Sequence, residues 1–179
     1  RTTAVQMSHH TETFKSSYQP GGTLTIATDR WVSRVISKGA DPFGMGRWSY
    51  IMLRGNKGKK IVIVTAYRVC NMSASSLGEK TAYMQQFRTI QKKFSEEQRD
   101  EIPNPHRQFI LDIQSWLENI KKDGTSIILC LDNNEDLLAH QGSFHQLEYK
   151  VGTFIKDSQH DGTLATLART CNLNDALGV

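Results

Sequence analysis

The sequence predicts a mixed α/β fold, and three observations carry that expectation. Short runs of strand character recur through the first third of the chain, and two later segments switch to helical spacing. One wholly apolar run then ends abruptly in the polar string Asp132-Asn133-Asn134-Glu135-Asp136. At 179 residues the chain can build one domain with a substantial core, so residues 1–179 are read as a single domain.

The elements follow in order. Residues 1–19 are polar and rich in Ser, Thr and His, and no strand is expected before Thr23. Pro20-Gly21-Gly22 forces a turn, after which Thr23-Leu24-Thr25-Ile26-Ala27-Thr28 alternates as a half-buried strand does. Residues 37–46, with Gly39, Pro42, Gly44 and Gly46, read as a loop that delivers the chain into Trp48-Ser49-Tyr50-Ile51-Met52-Leu53. Gly55-Asn56-Lys57-Gly58 separates that run from Ile61-Val62-Ile63-Val64, and the two are expected to pair as a hairpin. The β-branched residues of the second run mark a central strand covered on both faces.

Over residues 79–94 the period changes. Tyr83, Phe87, Ile90 and Phe94 fall at spacings of four, three and four and form one helical stripe. A second helix has clearer ends: Asn104 can cap it, Pro105 suits its first position, and Gly124 stops it after Lys121 and Lys122. Its buried stripe is Phe109, Ile113, Trp116, Leu117 and Ile120. Ser126-Ile127-Ile128-Leu129-Cys130-Leu131 follows as a buried strand, in which Cys130 reads as a small buried hydrophobe. Residues 139–162 show no clean periodicity; Leu164, Leu167 and Ala168 suggest a short helix, and residues 173–177 a last extended piece.

Composition narrows the function classes. No segment is apolar for long enough to span a bilayer as a helix, so no membrane role is expected. The net charge of +4 and pI near 9.0 favour an anionic partner such as nucleic acid. The three cysteines, Cys70, Cys130 and Cys171, form no zinc-type or disulfide pattern, and an intracellular location, nuclear or cytoplasmic, is expected. His9, His10, His140 and His145 read as surface or loop residues, and Lys57, Lys59, Lys60, Lys92, Lys93, Lys121 and Lys122 as a solvated surface.

The chemistry-bearing residues stand at the end of the last strong strand. Residues two apart on a strand face the same way, so Asp132 and Asn134 project together. A carboxylate can hold a water, and a neighbouring amide can donate to a phosphate oxygen, which suits phosphoester hydrolysis. The same pair also suits a plain turn, because Asp and Asn bond their own backbone.

Four places in the chain carry a family resemblance: Pro20-Gly21-Gly22 before a strand, Gly46-Arg47 before Trp48-Ser49-Tyr50, Val64-Thr65-Ala66-Tyr67, and Leu129-Cys130-Leu131-Asp132-Asn133-Asn134. In these motifs the chain resembles the endonuclease/exonuclease/phosphatase superfamily, which includes apurinic endonucleases and DNase I. Thr28-Asp29-Arg30-Trp31 and Trp48-Ser49-Tyr50 look closest to retroelement-type endonuclease domains. Leu131 stands where the family commonly has the glycine of Gly-Asp-x-Asn.

The resemblance implies a DNase I-like α/β sandwich, two mainly antiparallel sheets with flanking helices, of which residues 18–179 are the central portion. It implies a metal-dependent phosphodiesterase acting on DNA or RNA, with Mg²⁺ or Mn²⁺ as cofactor. Asp132 would position the attacking water, Asn134 would orient the water or phosphate, and Tyr67 would lie against that phosphate. Asn71 and Arg68 would bind substrate. The family's metal-binding glutamate and closing Asp-His pair have no matching residues: Glu12 lies in a polar segment with no apolar run before it, Glu79 and Glu135 follow the wrong elements, and His160-Asp161 is reversed. The metal ligands are therefore unknown. A non-catalytic nucleic-acid- or protein-binding module on the same scaffold is the alternative expectation.

Overall fold

The computed structural model describes residues 2–11, 21–70, 78 and 80–134. Their elements, in chain order, are β1 (Thr3–Ser8), β2 (Thr23–Thr28), β3 (Val35–Ala40), β4 (Trp48–Arg54), β5 (Lys60–Tyr67), α1 (Ala82–Glu96), α2 (Pro105–Lys122) and β6 (Ser126–Asp132). A 3-10 turn, Asp29–Arg34, joins β2 to β3. The architecture is mixed α/β with two sheets: β1 and β2 form an antiparallel pair, and β3-β4-β5-β6 form the larger sheet. Within the larger sheet β3, β4 and β5 are antiparallel, while β6 joins β5 in parallel.

The β4–β5 hairpin forms as its sequence predicts, with Asn56–Gly58 as its tight turn. Lys57 and Gly58 take positive φ there, 51° and 77°. β5 is central, and Ile61, Val62 and Val64 are buried.

Helix α2 keeps both predicted ends. The Asn104 side chain accepts from the Arg107 N–H at 2.9 Å, which satisfies one of the donors a helix start leaves open. Its apolar stripe lies on one face of the large sheet. Phe109, Ile110, Ile113 and Leu117 pack on Val62, Val64, Ala66, Ile127, Leu129 and Leu131, with Trp48 among them. The Trp48 ring meets Phe109 edge-on at 6.1 Å and tilts against Trp116 at 5.9 Å. Helix α1 starts at Ala82, and its Tyr83, Ile90 and Phe94 are buried as its spacing predicts.

β1 and β2 cover the other face of the large sheet. β2 lies over β4 and β5, and β1 over β3 and β4. The strand β2 alternates as expected, but the side that faces inward is the small one. Thr25 and Ala27 are buried, whereas Leu24 and Ile26 are exposed, opposite Met7 and Val5 of β1.

Several expectations are corrected. A strand, β1, does precede Thr23; its inward residues Ala4, Gln6 and Ser8 are small or polar, so no apolar periodicity announced it. The stretch read as a loop over 37–46 contains most of β3. Gly39 sits inside that strand because Tyr50 crosses over it: a Cβ on Gly39 would lie 2.6 Å from the Tyr50 hydroxyl. His10 is buried and bonds the Thr89 hydroxyl at 2.9 Å. Cys130 is exposed, because it stands on the face of β6 away from α2, where β1 and β2 cover less. The lysines named above are exposed as expected, and so is His9. No helix among the described residues is long and apolar enough to cross a membrane. Asn71, Glu79, Glu12, Glu135, His140, His145, His160, Asp161, Cys171 and the elements expected after residue 139 lie outside the described residues.

Candidate active site

The parallel pairing of β5 and β6 brings Tyr67 and Asp132 side by side. The register runs from Ile61 opposite Ser126 to Tyr67 opposite Asp132, the last pair of both strands. Because Val62, Val64 and Ala66, with Ile127, Leu129 and Leu131, face α2, strand alternation sends Tyr67 and Asp132 to the opposite face. Asn134 follows β6 in a left-handed conformation, φ 48°, which asparagine tolerates better than most residues. Its Nδ2 donates to the Arg68 carbonyl at 2.7 Å. Its backbone N–H points to Asp132 Oδ1 at a long 3.4 Å, so the turn expected of an Asp-x-Asn pair is also present.

Tyr67, Asp132 and Asn134 thus form one cluster. Asp132 and Asn134 are exposed and Tyr67 is half-buried. Burial pushes the Tyr67 phenol above its ordinary value, the charges of Cys70 and Asp132 add to the rise, and a hydrogen bond from Asn134 works against it. The phenol therefore stays protonated at neutral pH and is available as a donor.

Arg68 has a different place from the one the sequence suggested. Its side chain is 0% exposed, and its guanidinium is engaged inside the protein. Nε donates to the His106 carbonyl at 2.9 Å, Nη1 to Asn133 Oδ1 at 3.1 Å, and Nη2 to His106 Nδ1 at 2.8 Å. A guanidinium has no acceptor, so His106 Nδ1 must accept. The Arg68 guanidinium is thus engaged with the start of α2 and with Asn133, away from solvent.

Two further polar groups, to which the sequence assigned no role, support the same end of the sheet. Arg47 is buried, pairs with Asp41 at 2.7 Å and Asp112 at 2.6 Å, and lies over the Trp48 ring at 4.7 Å. Its carbonyl accepts from the Tyr67 N–H at 2.8 Å. The preceding Gly46, φ 72°, has no room for a side chain: a Cβ there would lie 2.8 Å from the His10 backbone nitrogen. Between the sheets, the Thr25 hydroxyl bonds Ser49 Oγ at 2.8 Å and Thr65 Oγ1 at 3.0 Å. Asp112 alone carried a local signal, an acidic residue beside Phe109 and Ile113 on the buried stripe of α2.

The described donors do not build a metal site. Asp132 is the one carboxylate of the cluster, and no group of three His, Cys, Asp or Glu side chains suited to a metal occurs among the described residues. What the cluster can do unaided is take a proton at Asp132, fix an amide at Asn134 and donate from Tyr67. Comparison with known proteins adds no family: no family model matches the chain, and no curated protein matches it.

Proposed function

We propose that the chain is a phosphoesterase of the nuclease type, acting on DNA or RNA phosphodiesters on a DNase I-like scaffold. The observation that carries this reading is the in-register pairing of Tyr67 with Asp132, with Asn134 fixed beside them. In this reading the Asp132 carboxylate takes a proton from a water as its oxygen attacks phosphorus. The bond from phosphorus to the leaving oxygen breaks in the same displacement, and the departing oxygen takes a proton from solvent water. The Tyr67 phenol donates to a non-bridging oxygen, where negative charge accumulates. With Nδ2 donating to the Arg68 carbonyl, the Asn134 amide has a set orientation, and its Oδ1 can accept from the water. A net charge of +4 agrees with a polyanionic substrate. A divalent cation such as Mg²⁺ or Mn²⁺ belongs to the family resemblance, and no step above passes through it.

The test is nicking of supercoiled plasmid and of an abasic-site duplex in Mg²⁺ or Mn²⁺, beside Asp132→Ala. Nicking should fall by roughly 100-fold or more in the variant, as for loss of a positioned acid or base. Equal residual nicking in both proteins would end the catalytic reading. A second reading, a binding module without hydrolysis, draws support from the lone carboxylate of the described cluster. It predicts salt-sensitive duplex binding that Asp132→Ala leaves intact.

A further inference from the structure

Three consecutive residues at the exit of β6 are each bonded to one buried arginine. The Arg68 N–H donates to the Asp132 carbonyl at 2.9 Å, Nη1 donates to Asn133 Oδ1 at 3.1 Å, and the Arg68 carbonyl accepts from Asn134 Nδ2 at 2.7 Å. The other side of the guanidinium grips His106, the second residue of α2, at both its carbonyl and its ring. We propose that Arg68 is a positioning residue, which locks the exit of β6 onto the start of α2 so that Asp132 and Asn134 meet Tyr67. For what the site does, this rests on the phosphoesterase reading; for how the site is assembled, it stands alone.

The choice of residue supports a positioning role over plain stabilisation. Burying a guanidinium is costly unless its donors are all met, and replacing such a group with a well-packed apolar side chain is often neutral or stabilising. Adjacent β5 and β6 already hold their own parallel ladder through Tyr67 and Asp132, so the sheet has register without the side chain of residue 68. What the side chain adds lies beyond the ladder, where the chain leaves β6 and Asn134 turns to positive φ. A planar fork that reaches two partners at fixed angles suits that task, and a lysine at the same place would not reproduce it.

The test uses the 179-residue chain and three variants, Arg68→Lys, Asn133→Leu and Asn133→Asp. Arg68→Lys and Asn133→Leu should lower kcat about 10- to 100-fold with KM held within about threefold, the pattern of a misplaced group. In the same proteins, hydrogen exchange at the residue 68 amide should accelerate by about tenfold or more while the Val62 and Val64 amides keep their protection. Asn133→Asp keeps an acceptor for Nη1 and should return both measures to within about threefold of the parent. If Arg68→Lys does not fold, Asn133→Leu carries the test. An unchanged residue 68 amide and unchanged kcat in folded Asn133→Leu would overturn the proposal, and so would protection lost equally at Val62 and Val64. Should the parent chain hydrolyse nothing, the phosphoesterase reading fails, and the exchange data alone decide the positioning role.

Discussion

The two faces of the four-stranded sheet are built on opposite plans. Toward α2 the inward positions are apolar and most are large: Val62, Val64, Phe109 and Ile113 have no accessible surface to speak of, and aromatic rings close the gaps. Toward β1 and β2 the large sheet still presents Ile51 and Leu53, but what covers them is small or polar: Ala27 meets Ile51 and Leu53, and Thr25 meets Ser49 and Thr65. There a cavity of about 250 Å³ remains, lined by Ala27, Trp31, Leu53, Ile61, Ile63 and Ile128. The same face carries Tyr67 and Asp132 at its end. The helical face supplies stability through close packing, and the open face tolerates loose packing beside exposed polar groups.

The sharpest way to break this contrast is a matched pair of truncations. Phe109→Ala, on the helical face, should destabilise the chain by about 3–5 kcal/mol, because the lost contacts leave a void that a packed core cannot close. Ile128→Ala, on the rim of the open cavity, removes a half-buried side chain from a place already underfilled and should cost only about 1 kcal/mol. Urea unfolding of both variants measures the difference. Equal losses would mean that the open face contributes as much as the closed one.

The ends of α2 extend the contrast at smaller scale. Asn104→Ala removes the acceptor for the Arg107 N–H and should cost about 1 kcal/mol in the same urea experiment. On the proposed reading nicking should be little changed, because the variant keeps the bonds of Arg68 to the His106 carbonyl and ring. A drop in kcat would show that the start of α2 transmits small movements to the site through His106.

How much of this was legible in the sequence depends on the range of the interactions. The limits of α2 could be read because capping is local: Asn104, Pro105 and Gly124 each act within a turn of their own position. The β4–β5 hairpin was legible for the same reason, through its short turn and apolar runs. β1 and β3 were not, because their strand character comes from pairing. In β1 the large residues Val5 and Met7 point outward, and in β3 a glycine occupies the place that Tyr50 crosses. Strand alternation, which the sequence offered for Asp132 and Asn134, is not what joins them. β6 ends at Asp132, and Asn134 lies beyond it at positive φ, held by a turn and by the Arg68 carbonyl. Their approach to Tyr67 followed only from the order of elements. Arg47 and Arg68 were beyond reach. Whether an arginine is solvated or buried depends on its partners, and here Asp112 and Asn133 are each 65 residues away along the chain.

The smallest effect expected tests the site end of the open face by pH. The Tyr67 phenol is held above its ordinary value by burial first, then by the charges of Cys70 and Asp132. Its folded value exceeds its unfolded one, so the stabilisation it brings is fully present below the ordinary phenol range. It is lost as pH rises through the folded value, because the unfolded chain releases its proton first. Urea stability should therefore fall on the alkaline side in the parent, and more gently in Tyr67→Phe. Asp132→Asn keeps the shape and removes one of the neighbouring charges. It should bring the Tyr67 titration, followed by its ultraviolet absorbance, to lower pH, although burial still keeps it above the ordinary value. A titration that does not move would mean that Asp132 and Tyr67, though paired in register, do not sense each other's charge, and the cluster would then not act as one site.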